Sequence, residues 1–273
     1  MIRTPSGKRA YVETYGCQMN VSDSELMEGL LAARGYEIVR SPEEADVVLV
    51  NTCAIREHAE TRVLGRVSQL NGLKREKPEL VIGVTGCMAQ RLGATLLEQA
   101  PYVDLVMGPD GYRSLPESLD RIASRRASCS RTQLAVLDLH ATENYQGLEQ
   151  RRAEGPVAWV PVQRGCDHRC TFCIVPYVRG PEKNRDAAEV LAEVEGLAAS
   201  GVSEVTLLGQ TVNSYRSGEV TFPILLRRVA RVPGIRRVRF TSPHPNDVTP
   251  ELVEVMAEEP AVCEHLHLPA QSG

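Results

Sequence analysis

The sequence of 273 residues has no apolar run approaching the roughly 18 residues that a membrane-spanning helix needs, which predicts a protein without a membrane partner. It also lacks a charge excess. Lys and Arg number 31 against 35 Asp and Glu, a net charge of −4. Any nucleic-acid contact must then come from a local basic patch, not from bulk positive charge. Neither a Walker loop nor a G-x-G-x-x-G is present, which excludes two phosphate cradles that a sequence can reveal. The opening Met1-Ile2-Arg3-Thr4-Pro5-Ser6-Gly7-Lys8 has no apolar stretch behind its charges, so no signal peptide is expected and the default compartment is the cytoplasm. Thiols stay reduced there, so the eight cysteines need a reason other than disulfides. With 42% hydrophobic and 24% charged residues, the chain has material for a real core, which excludes wholesale disorder. The length allows two domains.

The first hundred residues repeat one pattern. Tyr11–Tyr15 reads as a strand ending in Gly16-Cys17, and Ser22 to Glu25 reads as a capping box opening a helix that Gly35 stops. Val47–Val50 is a second strand, ending in Asn51-Thr52-Cys53, with a helical stretch from about Arg56 to Leu73 behind it. Leu80–Val84 is a third, ending in Gly86-Cys87, followed by a helix over Met88–Gln99 and a fourth strand at Val103–Met107. Continuous β-branched and leucine strands alternating with helices predict a doubly wound α/β domain with a parallel sheet covered on both faces. The order fades over residues 117–155, where Arg121, Arg125, Arg126 and Arg131 sit among small polar residues and suit a solvated surface. We assign residues 8–120 to the N-terminal domain and 121–155 to a late helix and linker.

A second α/β pattern fills 156–273. Strands are expected at Val160–Gln163, Glu204–Leu208, Arg237–Thr241 and Cys263–Leu268, and helices at Ala187–Ala199, Pro223–Val232 and Pro250–Glu258. Successive βα units of this kind predict a partial barrel, since eight strands would need more chain. The sequence stops after a strand without a closing helix, so the barrel is expected to be incomplete at its C-terminus and the chain to be a piece of a longer protein.

Cysteine spacing carries the strongest chemical signal. Cys166-x3-Cys170-x2-Cys173 puts three thiols in eight residues of a loop after a strand, which suits a soft metal centre. Zinc usually takes four protein ligands, often as two pairs, and no second C-x2-C is present. A three-cysteine [4Fe–4S] site leaves one iron open for chemistry; zinc, or a redox pair at Cys170 and Cys173, is the alternative. Cys17, Cys53 and Cys87 are spaced by 36 and 34 residues, about one βα unit each, and each lies just past a strand. The carboxyl ends of parallel strands share one edge, so these three are expected to meet at one rim and hold a second cluster. Three buried structural cysteines are the competing reading. Cys129 and Cys263 look structural. His265 and His267, on one strand face, suit pocket lining better than ligation. Six arginines (Arg227, Arg228, Arg231, Arg236, Arg237, Arg239) form a candidate phosphate-facing patch, or surface charges balanced by nearby glutamates.

These segments resemble a known family. Tyr15-Gly16-Cys17-Gln18-Met19-Asn20, Asn51-Thr52-Cys53-Ala54-Ile55-Arg56-Glu57 and Thr85-Gly86-Cys87-Met88-Ala89-Gln90 are similar to the N-terminal domain of the radical-SAM methylthiotransferases. Arg164–Gly180, Leu208–Tyr215 and His267–Gly273 resemble their radical-SAM region. Gln18-Met19 after the first cysteine is most similar to the branch that modifies isopentenyladenosine in tRNA; a branch acting on a ribosomal-protein aspartate typically has Pro-Lys there, and a threonylcarbamoyladenosine branch Lys-Val. Where the family usually reads Arg-Gly-Arg-Glu, this chain has Arg179-Gly180-Pro181-Glu182, which removes a backbone donor and a charge.

The resemblance implies a partial radical-SAM barrel over 156–273 and two [4Fe–4S] clusters with separate jobs. The cluster on Cys166, Cys170 and Cys173 would bind S-adenosylmethionine and generate a 5′-deoxyadenosyl radical, with Phe172 against the adenine and Gln210 and Asn213 at the cofactor's polar groups. The cluster on Cys17, Cys53 and Cys87 would donate a methylated sulfur to carbon 2 of the modified adenine beside the anticodon, a second S-adenosylmethionine supplying the methyl. The implied partners are tRNA and a flavodoxin-like or ferredoxin-like electron donor. The family also has a C-terminal RNA-binding domain, so a chain ending here is expected to load clusters but to modify tRNA poorly. The alternatives are a methylthiotransferase acting on a protein side chain and an inactive cluster-binding fragment.

Overall fold

The computed structural model describes residues 7–54, 57–128, 132–152 and 154–269. Cys129, Arg131 and the final Gln271-Ser272-Gly273 lie outside them. The chain divides into two compact units. The first holds the residues up to His140 with Gly147–Arg151 and Thr171–Arg179; the second holds Ala141–Gln146, Arg152–Cys170 and the chain from Gly180 onward. No helix among the described residues is long and apolar enough to cross a membrane.

The first unit is built on six parallel strands: β1 (Arg9–Tyr15), β2 (Glu37–Ile38), β3 (Val47–Thr52), β4 (Val81–Gly86), β5 (Leu105–Met107) and β6 (Leu134–Val136). Their spatial order is β2-β1-β3-β4-β5-β6. The helices are α1 (Gln18–Ala33), α2 (Glu57–Asn71), α3 (Cys87–Leu92), α4 (Thr95–Gln99) and α5 (Leu115–Ser128). Every residue of β3 and β4 is buried, because helices cover both faces of the sheet. Val48, Val50, Ile82, Val84 and Val106 form a core with Val63, Val67 and Leu70 of α2 and Leu96 of α4. The alternate residues Val47, Leu49 and Leu105 are buried as well, and α1 lies against β1, β3 and α5.

Three local expectations are corrected here. Helix α1 begins at Gln18 with Cys17 as its cap, five residues before the expected cap at Ser22. Its reciprocal cap is made by Cys17 and Asn20. Ser22, Asp23 and Ser24 are buried inside the helix, where Ser24 serves the strand ends. The helix expected over Met88–Gln99 is broken into α3 and α4 at Gly93-Ala94. Strand β6 lies in the stretch expected to be helix and linker. Its short Leu134-Ala135-Val136 pairs with Leu105-Val106-Met107, and a run of three residues is too short for periodicity to reveal.

The second unit carries strand β7 (Val157–Pro161) and the antiparallel pair β8 (Gln163–Arg164) and β9 (Lys183–Asn184). Strand β10 (Glu204–Leu208), the small hairpin β11 (Arg216–Ser217) with β12 (Val220–Thr221), and β13 (Arg237–Phe240) follow. Strands β7, β10 and β13 form a parallel sheet in chain order, the arrangement of a βα barrel segment. Its helices are α7 (Ala187–Ala199), α8 (Phe222–Ala230) and α9 (Pro250–Glu258), numbered after α6 (Val175–Arg179) of the first unit. Asp186 caps α7 by accepting from the backbone N–H of Ala188 and Glu189, and Thr249 caps α9 through Leu252. Val160, Val205, Leu207 and Val238 close the core against Val190, Val194, Leu226, Val229, Leu252 and Val255.

The strand expected at Cys263–Leu268 does not form. Val262 makes a single parallel bridge to Val238, and Cys263 N–H donates to the Val238 carbonyl at 3.0 Å. His265 N–H then turns back onto the Cys263 carbonyl at 2.7 Å, which ends the extended run. Beyond Phe240 the neighbouring chain also leaves strand geometry, with Ser242 at φ 58°. The alternation in this segment therefore has no partner edge to pair with.

Candidate functional site

The register of the first sheet places Tyr15 opposite Thr52 and Thr52 opposite Gly86, one row across β1, β3 and β4. Adjacent parallel strands lie about 4.8 Å apart. Cys17 follows that row by two residues, and Cys53 and Cys87 by one. The three cysteines therefore occupy neighbouring positions on the carboxyl edge, at the point where the strand order reverses. Gly86 makes the junction. It has φ 92°, and a Cβ there would stand 2.3 Å from the Thr52 carbonyl oxygen.

Two asparagines brace this edge. Asn20 Oδ1 accepts from the Cys17 backbone N–H at 3.2 Å and from its thiol at 3.4 Å, while Asn20 Nδ2 donates to Asn51 Oδ1 and to the Thr52 carbonyl, both at 3.2 Å. Asn51 Nδ2 returns bonds to the Asn20 carbonyl at 2.8 Å and to Ser24 Oγ at 2.9 Å. Both asparagines are fully buried, so these bonds cannot be exchanged cheaply for water.

The thiols differ in their electrostatics. Cys17 is exposed, Cys53 half-buried and Cys87 buried. A hydrogen bond from Cys53 is the main cause that pulls the Cys17 thiol down to about 6; burial opposes it and the Arg179 charge assists. Burial pushes the Cys87 thiol up, against the pull of Arg179. Arg179, at the end of α6, donates from Nε to Cys87 Sγ at 3.2 Å and from Nη2 to Asp23 Oδ2 at 2.8 Å.

The second unit gathers another set around the first two cysteines of the loop motif. Gly165 has φ 73°, and a Cβ on it would meet the Pro181 carbonyl oxygen at 1.9 Å, so only glycine lets the chain turn into Cys166 there. Cys166 is buried, its N–H donates to the Gly180 carbonyl at 3.2 Å, and its sulfur lies 2.9 Å from Thr211 Oγ1. The Cys166 N–H bonds the Gly180 carbonyl, so this bond of the turn does not call on the N–H that Pro181 lacks. Cys170 Sγ lies 3.6 Å from His244 Nε2. The Asn246 backbone N–H donates to His244 Nδ1 at 3.2 Å, which leaves the ring proton on Nε2, facing that sulfur. Burial, then His168, lowers the His244 pKa, while Asp247 raises it. His168 stacks on His244 with centroids 3.9 Å apart and bonds Asp247 at 2.6 Å.

The expected residues fall as follows. Cys173 is half-buried and belongs to the first unit, as does Phe172, which is 71% exposed. Asn213 is buried and clamps the backbone of His244, donating to its carbonyl at 2.9 Å and accepting from its N–H at 2.7 Å. Gln210 is half-buried, and its Oε1 has no hydrogen-bond partner among the described residues. His168, His244 and Asp247 give no signal in the sequence, since 76 residues separate the two histidines. The pair that spacing suggests, His265 and His267, lies in the segment that forms no strand. Asn20, Asn51 and Arg179 stand inside the cysteine motifs, but nothing in their spacing assigns them a role. Four of the six clustered arginines are paired with glutamates: Arg227 and Arg231 with Glu259, Arg237 and Arg239 with Glu204. That favours a balanced surface over a free phosphate patch.

Residues 9–108 match the family described as "Uncharacterized protein family UPF0004", and residues 160–273 match the Radical SAM superfamily. The chain is 46% identical over 274 residues to the tRNA-2-methylthio-N(6)-dimethylallyladenosine synthase of Bacteroides thetaiotaomicron, covering 97% of this chain and 58% of that protein. It is 48% identical over 270 residues to the enzyme of that name from Citrifermentans bemidjiense, covering 97% and 60%. The chain thus spans about three fifths of the length of the curated relatives it matches. Among solved structures, the radical S-adenosylmethionine methyltransferase TsrM of Kitasatospora setae, bound to tryptophan and a SAM analogue, is similar in fold. It has a TM-score of 0.62 at 14% identity, covering 94% of this chain and 58% of that one.

Proposed function

Because the chain belongs to the radical-SAM methylthiotransferase family, we propose that it takes part in methylthiolation of carbon 2 of N6-isopentenyladenosine beside the tRNA anticodon. The observation that carries this reading is the shared row at Tyr15, Thr52 and Gly86, which gives Cys17, Cys53 and Cys87 neighbouring positions on one sheet edge. Two three-thiol sets suit two [4Fe–4S] clusters, each with an iron left open. The donor chemistry fits: three cysteine sulfurs at one sheet edge and three in the loop are soft donors of the kind iron–sulfur clusters take. With S-adenosylmethionine, these groups supply a radical able to remove an unreactive aromatic hydrogen, and a sulfur and methyl to replace it.

The chain's own residues position and protect. Cys17, Cys53 and Cys87 would hold the sulfur-donating cluster, and Asn20 and Asn51 fix the strand ends that carry them. Cys166, Cys170 and Cys173 would hold the radical-generating cluster, with Thr211 and His244 against the first two sulfurs. Phe172 offers an exposed ring for an adenine face, and Gln210 an unpartnered carbonyl for a polar group of the cofactor. Asn213 acts through His244. The working domains would be 8–120 for the sulfur-donating centre, 121–155 as a connecting stretch that carries the end of α5 and strand β6 of the first sheet, and 156–273 for radical generation. The partners would be tRNA and a flavodoxin-like or ferredoxin-like reductant, in the cytoplasm.

Reconstituted protein tested with dithionite and S-adenosylmethionine should release 5′-deoxyadenosine and, with isopentenylated tRNA, yield at most a small amount of the 2-methylthio nucleoside by mass spectrometry. Iron and sulfide near eight per chain are expected from two clusters. About four irons per chain, or retained zinc, would refute the two-cluster reading.

A further inference from the structure

One buried cation is unusual in what it faces. The Arg179 side chain is 5% exposed and that of Asp23 fully buried. A guanidinium in such surroundings needs compensation, and its fork has planar donors to satisfy. One arm meets Asp23; the Nε–H is aimed at the sulfur of Cys87, at 3.2 Å. A neutral thiol is a weak acceptor, whereas an anionic sulfur is a strong one. Arginine keeps its proton in proteins, so the charge is there to be balanced, and Asp23 pairs with it. Helix α6 keeps the arginine in place by lying against α3, whose first residue is Cys87.

The cluster of His168 with His244 and Asp247 is less suited to a new cation. The two rings lie face to face with 9° between their planes, and His168 Nε2 and His244 Nδ1 are already engaged.

We infer that Arg179 is a positioning residue of the Cys17/Cys53/Cys87 centre: it orients the Cys87 sulfur, balances negative charge on the centre and thereby raises its reduction potential. The inference rests on the reading that these three cysteines hold an iron–sulfur cluster. One-electron reduction adds a negative charge to the cluster, the electron coming from dithionite through mediators. A fixed positive charge with an N–H on a ligand sulfur stabilises that product, and Asp23 opposes it.

The test uses the full chain with Cys166, Cys170 and Cys173 replaced by alanine, so that one centre remains, reconstituted and titrated by EPR at controlled potential. Arg179→Gln should lower the ratio of reduced to oxidised cluster at fixed potential about tenfold, which is about 59 mV for one electron. Asp23→Asn should shift it the opposite way. Arg179→Lys, which keeps the charge and loses the fork, should fall between parent and Arg179→Gln. The double variant Arg179→Gln/Asp23→Asn buries no unpaired charge, so it should fold and still titrate below the parent. General loosening would move the two single variants in one direction. An unchanged potential in Arg179→Gln and in the double variant, or shifts of the same sign in Arg179→Gln and Asp23→Asn, overturns the inference. If the parent triple variant takes up no cluster, the cluster reading itself fails.

Discussion

Replacing Gly86 by alanine should damage the cysteine rim more than its single methyl suggests. The residue sits at φ 92° and ψ −160°, a conformation that side chains with a Cβ rarely adopt. Holding alanine there costs about 1–3 kcal/mol. The new Cβ would stand 2.3 Å from the Thr52 carbonyl oxygen, 2.6 Å from Asn51 Oδ1 and 3.0 Å from the Thr52 nitrogen. Two of those atoms are backbone of a buried strand, and the third belongs to a fully buried asparagine bonded on both sides. None can swing away, so overpacking adds about 1–3 kcal/mol. Together the loss is about 2–6 kcal/mol, a large share of the roughly 5–15 kcal/mol that stabilises a domain. Any relaxation must part β3 from β4, which separates Cys53 from Cys87. The assay is urea unfolding of the cluster-free chain beside iron content after reconstitution. Gly65→Ala is the control. Gly65 lies exposed in α2, a Cβ there would meet nothing within 4 Å, and the variant should gain up to about 1 kcal/mol. A Gly86→Ala chain with the parent's midpoint, slope and iron content would refute the steric argument.

Other outcomes follow from the same geometry. Cys170→Ala should abolish release of 5′-deoxyadenosine, while Cys53→Ala should spare it and abolish sulfur insertion; equal loss of both in the Cys53 variant would refute two separate roles. In the cluster-free chain, Cys17 should be alkylated by iodoacetamide with a rate that rises with pH through about 6 and levels off above it, because its thiolate is the favoured form there. Cys53→Ala should move that inflection upward by removing the main stabilising hydrogen bond, and an inflection that stays in place would discount that bond. His244→Phe removes the N–H facing the Cys170 sulfur and should make the loop cluster harder to reduce, with the EPR-monitored midpoint falling in a chain lacking Cys17, Cys53 and Cys87. Asn213→Ala should give a smaller shift of the same sign, since it acts through the His244 backbone.

Sequence alone determined the elements that periodicity and spacing encode. Strands β3 and β4 are runs of buried residues and β1 is a half-buried one, each with a cysteine just after it, and one βα unit between cysteines suffices to predict that they share an edge. The loop cysteines are local, so their spacing is readable without a fold. The ranges Ala187–Ala199, Glu204–Leu208 and Pro250–Glu258 were legible to the residue, because caps and Gly201 mark their ends. Tertiary structure decided what depends on partners far along the chain. The Ser22-to-Glu25 pattern is a real capping signal, yet Asn20 found Cys17, Asn51 and Thr52, and the helix began earlier. Cys263–Leu268 alternates as a strand should, yet an alternating segment becomes a strand only against an edge that continues beside it. Arg179 meets Asp23 across 156 residues, and His168 meets Asp247 across 79. No periodicity records such pairs, because a hydrogen bond depends on positions in space and the chain reveals only the order of its residues.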